Sequence, residues 1–195
     1  FVPNQTSRQG CVNIHDAIDS KRIMSFVVIS LLPALFFGMY NVGYQNYAAA
    51  GTLADSTFWD LFIFGFLAVL PKILVSYIVG LGIEFVVAQW KNEEIQEGFL
   101  VSGILIPMII PVNTPLWTLA LAVAFSVIIA KEIFGGTGMN IFNPALITRA
   151  FLFFSYPSVM TGDDNVWVAQ ESIFGFGNNL PDTFTAATPL GEAAV

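Results

Sequence analysis

The sequence predicts an all-α integral membrane fold: a bundle of about five apolar segments, some of them proline-broken or half helices. Three observations carry this. Hydrophobic residues make up 55% of the 195 residues and charged residues only 11%, against roughly 25% charged in soluble domains. Two long stretches, 23–54 and 98–130, hold no charged side chain. Pro107, Pro111 and Pro115 fall inside the second of them. With nineteen phenylalanines and a mean hydropathy of +0.71, a compact globule of this size has too little interior for its apolar surface. A bilayer is the solvent that suits it.

The first span is read from Ile23 to Gly43, 21 largely apolar residues, enough to cross about 30 Å of hydrocarbon. The second runs from about Leu61 to Ala88, with Pro71 and Lys72 interrupting its middle. It is long enough to tilt or to project beyond the lipid. "GFLVSGILIPMIIP" and "LWTLALAVAFSVIIA" follow, separated by the turn signal "VNTP". Each piece is about 15 residues, or roughly 22 Å as a helix. They form either two short spans or one re-entrant hairpin, and in both cases the chain returns to its starting side. The last apolar piece is Ile141–Pro157, with Asn143–Pro144 as its helix start. Beyond Met160 the chain becomes polar and glycine-rich, without helical period.

Counting crossings places Arg8, Lys21, Arg22, Lys91 and Lys131 on one side of the membrane. The other side receives Asp55, Asp60, Asp163, Asp164, Glu171, Asp182 and Glu192, with no Lys or Arg. The positive-inside rule divides the chain into a cytoplasmic N-terminal segment (1–22), a transmembrane region (23–157) and an outer-face loop (158–195). Phe1–Gly10 is too polar for a signal peptide. The chain starts without methionine and stops in what reads as a helix start, so a piece of a longer protein is expected.

A single cysteine, Cys11, excludes an internal disulfide or a multi-thiolate metal site, and a single histidine, His15, excludes a histidine-rich cluster or bis-histidine haem. The net charge of −7 gives no footprint for nucleic acid. No metal site and no catalytic residue is expected within the chain. Lys72 and Arg149 lie inside apolar segments, where a charge costs a few kcal/mol unless it faces protein or water. Each is either snorkelling or ion-paired, or it meets an anionic group such as a reduced cofactor or a pathway carboxylate. Gly135, Gly136 and Gly138 make a side-chain-poor loop. It is either a tight connection or a place where backbone approaches a planar ring or a phosphate. It is not a dinucleotide fingerprint, because the spacing is wrong and no βαβ unit surrounds it. The prolines of 98–115 either kink a helix or line a cavity. Thr188, followed by Pro189, is either a helix N-cap or part of an exposed loop. Nothing near it in sequence would activate it as a nucleophile.

Several stretches in order resemble one family over nearly the whole chain: "DAIDSKRIM" (16–24), "FFGMYNVG" (36–43), "EGFLVSGILIPMIIP" (97–111), "KEIFGGTGMNIFNPAL" (131–146), "RAFLFFSYP" (149–157) and "DTFTAATPL" (182–190). The family is the B-subunit of the bacterial sodium-translocating NADH:quinone oxidoreductases, of which the chain would be the first half. The family's flavinylation motif reads here as Asp182, Thr183, Phe184, Thr185, Ala186, Ala187, Thr188. Thr183 is larger than the usual glycine or serine, and Ala186 stands for a common glycine.

The resemblance implies FMN joined through its phosphate to the Thr188 hydroxyl, with Asp182, Thr185 and Ala187 completing the motif and a separate flavin transferase making the bond. It further implies a noncovalent riboflavin, its site incomplete in this half. Other implied partners are quinone near Gly135–Gly136, sodium ion, membrane lipid and further subunits of the complex, one of which binds NADH. The bacterial inner membrane is the implied location. Two other readings are kept: the D-subunit of the related Rnf electron-transport complex, and a transporter or channel module with no redox role. Glu84 is the only acid inside an apolar span, which argues against a stand-alone ion carrier.

Overall fold

The structure is a computed structural model, and it describes residues 20–91, 98–136, 138–160 and 168–180. These residues are mostly helical, with no β-strand among them and one isolated bridge between Ile173 and Phe176. Helix α1 is Ser20–Ala49 and α2 is Phe58–Lys91. Helix α3 is Phe99–Ile109, α4 is Leu116–Ser126, α5 is Pro144–Ser155 and the short α6 is Pro157–Met160. The all-α membrane expectation holds. Among the described residues, three helical stretches are long and apolar enough to cross a bilayer: Arg22–Ala49, Phe58–Lys91 and Leu116–Phe134.

Helices α1 and α2 pack antiparallel and very close. Gly43 lies on the backbone of Leu61, and Gly65 on the backbone of Met39. Lipid tails are as apolar as leucine, so small residues that let backbones touch are what hold such helices together. One turn further along, Leu35, Met39 and Val69 form a buried cluster that Met108 of α3 packs against. A Cβ at Gly65 would land on the Met39 carbonyl, whereas one at Gly38 would meet nothing within 4 Å. Gly65→Ala is therefore expected to lower the thermal midpoint in detergent, by an overpacking cost of about 1–3 kcal/mol or more. Gly38→Ala should leave the midpoint unchanged or raise it.

Pro71 does not interrupt α2, contrary to the sequence expectation; the helix runs unbroken for 34 residues. Proline lacks an N–H and crowds the preceding turn. The carbonyl left without its helical donor is that of Leu67, a loss that apolar membrane helices tolerate, and beside it Lys72 Nζ donates to the Ala68 carbonyl at 3.0 Å. At about 51 Å, α2 exceeds the hydrocarbon thickness and must tilt or project.

The proline-split pair is also less even than its sequence suggests. Helix α3 has 11 residues, about 16 Å. Helix α4 continues through a π turn at Val127–Lys131 and a 3-10 turn at Glu132–Phe134, so that Leu116–Phe134 reaches 19 residues. Between them Thr114 Oγ1 donates to Pro111 O at 2.9 Å, closing the turn. Helices α3, α4 and α5 share the larger core, centred on Phe99, Ile106, Leu119, Val123 and Leu152. Asn143 caps α5 as expected, its side chain accepting from Ala145 N at 2.9 Å with Pro144 in the first turn.

Candidate functional site

Polar groups are gathered in two places, one along the inner face of α2 and one at the end where α1 meets α2. Along α2, Lys72, Ser76, Gly80 and Glu84 are all buried. At four-residue steps they share one face of the helix, so the apolar bundle contains a polar file. Its lower end is an ion pair between Glu84 and Lys131, whose side chains are each about 4% exposed. The π turn of α4 ends on Lys131, and such wide turns recur at functional positions. Glu84 Oε2 has no hydrogen-bond partner among the described residues, and neither has Ser76 Oγ. Phe99 fills the file at Gly80, where a Cβ would strike its ring.

Next to this pair Lys91 Nζ donates to the Glu132 carbonyl at 3.1 Å and approaches the Glu132 carboxylate at 3.5 Å. The loop at Gly135 and Gly136 leaves from here, with φ of +108° and +91°. Gly136 N donates to Lys131 O at 3.1 Å. Left-handed backbone accounts for both glycines without a ligand. Lys72 and Arg149, alike in sequence, are separated by the fold. Lys72 is buried, with Ala68 O as its partner and no carboxylate within ion-pair distance among the described residues, whereas Arg149 is exposed on α5.

The opposite end of the bundle carries Asp55, Asp60 and Glu171. There Asp60 closes a capping box at the start of α2, accepting from Thr57 N at 3.0 Å. The non-helical segment 168–180 is fastened at this end by neutral groups. Asn46 of α1, fully buried, donates from Nδ2 to Ala169 O at 2.7 Å and to Asn178 O at 3.0 Å. Its Oδ1 accepts from Asn178 N at 2.8 Å. Asn113, in the turn between α3 and α4, donates to Val168 O at 2.9 Å. Gly177, at φ +77°, sits against the Phe64 ring and donates to Tyr47 Oη at 3.0 Å.

The residues of the sequence motif, Asp182, Thr185, Ala187 and Thr188, lie outside the described residues, as does the N-terminal segment 1–19. Sequence reasoning missed the Glu84–Lys131 pair and the Asn46 fastening. Their partners are separated by 47 and up to 132 residues, and no local pattern announces either.

A family model described as "NQR2, RnfD, RnfE family" matches residues 9–195. Among known proteins the chain is similar to the Na(+)-translocating NADH-quinone reductase B-subunit of Ectopseudomonas mendocina, at 42% identity over 93% of the chain and 47% of that protein. It is also similar to the proteins of the same name from Chromohalobacter salexigens, at 40% over the whole chain and 49% of that protein, and Klebsiella pneumoniae, at 39% over the whole chain and 50%. The chain thus spans about half the length of these relatives. With the match running through every described helix and through the motif that follows, the chain belongs to the NQR2, RnfD, RnfE family.

Proposed function

We propose that the chain is the first half of a membrane redox subunit of a sodium-translocating NADH:quinone reductase, and that it carries FMN esterified to Thr188. The observation that carries this reading is the agreement of relatives at about 40% identity, each named as the B-subunit of that enzyme, with the complete run Asp182–Thr188. The same relatives favour the quinone reductase over the Rnf complex and over a transporter without redox chemistry.

The flavin supplies electron transfer, and its phosphate serves only as the tether. Asp182, Thr185 and Ala187 are the groups a flavin transferase would recognise, with Thr188 Oγ1 as acceptor. Access for such an enzyme is supported by the neighbouring segment: Phe174 is 90% exposed, and Leu180 leads into the motif at the acidic end of the bundle. The subunit would relay electrons from another subunit's flavin through its FMN and a riboflavin to quinone, coupled to sodium export. NADH would bind elsewhere, and the chain would not be active alone. The quinone region at Gly135–Gly136 rests on the resemblance alone.

The separation of charge along the bundle supports residues 1–22 in the cytoplasm, 23–157 within the bacterial inner membrane and 158–195 outside. Arg22, Lys91 and Lys131 lie toward one end, Asp55 and Asp60 at the other. Two measurements test the reading. Peptide mass mapping of natively processed complex should find FMN, less one water, on the peptide containing Thr188. A phosphatase reporter fused after Thr188 should be active only when exported. Flavin on another residue, or a reporter active only inside the cell, would refute the corresponding part.

A further inference from the structure

We infer that the glycine loop between α4 and α5 lies in the bilayer interface at the basic end of the bundle, with Ile133, Met139, Ile141 and Phe142 held against phospholipid acyl chains. This lipid-facing surface does not depend on the reading that Thr188 carries FMN.

Lys131 pairs with Glu84 of α2, and α2 runs on from Glu84 to Lys91, about 10 Å farther. Centred on about 30 Å of hydrocarbon, a helix of about 51 Å overshoots it by roughly 10 Å at each end. The Glu84–Lys131 pair therefore falls at the hydrocarbon edge. The loop leaves α4 at this level and returns to it. Thr148 Oγ1 of α5 donates to Ser126 Oγ of α4 at 2.7 Å. Asn143 precedes Thr148 by as many residues as Lys131 follows Ser126, so the two ends of the loop stand about level. From the water side Lys91 Nζ reaches back to the Glu132 carbonyl at 3.1 Å, and Trp90 beside it is exposed.

Non-helical backbone at this depth has little water to bond with, so its polar groups need partners within the protein. The loop supplies many of them itself. Gly135 N donates to Glu132 O at 3.3 Å, Gly136 N to Lys131 O at 3.1 Å and Met139 N to Gly136 O at 3.2 Å. Asn140 adds two more bonds: its Oδ1 accepts from Gly138 N at 3.2 Å, and its Nδ2 donates to Phe142 O at 3.0 Å. The backbone bonds inward and the apolar side chains are left outside. Ile133, Met139, Ile141 and Phe142 are each more than half exposed, and Leu146 in the first turn of α5 continues the patch. No charged residue occurs from 133 to 148. In water such a patch would be an aggregation hazard. At the boundary of headgroups and acyl chains it meets a solvent that suits it.

The test uses the assembled complex in phosphatidylcholine vesicles and two probes. Benzoylphenylalanine in place of Phe142 is photoactivated, and its adducts are identified by mass. A fluorescent noncanonical residue in place of Ile141 is quenched by lipid carrying a nitroxide near the headgroup and, separately, by iodide on both faces of the membrane. The same residue in place of Glu171, exposed at the other end of the bundle, is the water-facing control. Phospholipid adducts at 142 are expected, with strong nitroxide quenching at 141 and loss there of the iodide quenching seen at 171. Asn140→Ala in the complex labelled at 141 should bring iodide quenching back toward the level at 171, because Gly138 N and Phe142 O are then left to find water. Adducts on polypeptide at 142 would make this face an interface between proteins and overturn the inference. Iodide quenching at 141 equal to that at 171 would overturn it too, and where no adduct forms at 142 that comparison decides.

Discussion

Thr188→Ala is expected to abolish covalent flavin and, with it, electron delivery to quinone by the assembled complex. The proposed bond is a phosphoester to one hydroxyl oxygen, and alanine offers no oxygen. A tether raises local concentration enough to add a factor of about 10²–10⁴ to apparent binding. A loss of quinone reduction of about 100-fold or more should follow even if free FMN is supplied. NADH oxidation by an artificial acceptor should persist, because the nucleotide binds on another subunit in this reading. Thr188→Ser, which restores an oxygen, should regain flavin and part of the rate, and Asp182→Asn should lower flavin loading with the acceptor intact. Fluorescence that survives denaturation in Thr188→Ala would mean that the flavin sits elsewhere.

Lys131→Met should be among the most destabilising single substitutions in the bundle. It leaves the Glu84 carboxylate buried and alone, since the other oxygen already lacks a partner among the described residues. Breaking one side of a buried pair costs about 3–5 kcal/mol, whereas replacing both sides is often neutral. The double variant Glu84→Gln/Lys131→Met should therefore recover most of what the single change loses. Lys72→Met gives the contrast. It removes a buried charge that has no carboxylate partner among the described residues, so its midpoint should hold or rise. Thermal unfolding in detergent of the unsubstituted protein, the two single variants at Glu84 and Lys131 and their double forms the cycle. Additive effects at the two positions would show that the pair is not coupled.

The helices were legible wherever composition alone decides them. An uncharged run located α1, a long apolar stretch with few charges located α2, and Asn143–Pro144 located the start of α5 because its cap is made by neighbours in sequence. Pro71 misled, since a long apolar helix runs through a proline that a sequence pattern reads as a break. The uneven α3–α4 pair was hidden because the π and 3-10 turns that extend α4 leave no mark in hydropathy. Of the candidate site, the motif at 182–188 was legible as a local pattern. The Glu84–Lys131 pair and the Asn46 fastening were not, because they join residues brought together only by packing. Lys131 read as a loop charge at a span's end, yet its side chain is buried.

The fastening of segment 168–180 is made of amides, hydroxyls and main-chain groups, with no carboxylate or ammonium among the bonds described that hold it to the helices. Such groups keep one protonation state across a wide range of acidity, and dissolved salt does not screen them as it screens ion pairs. A segment fastened this way keeps its footing while the salt or the acidity around it changes.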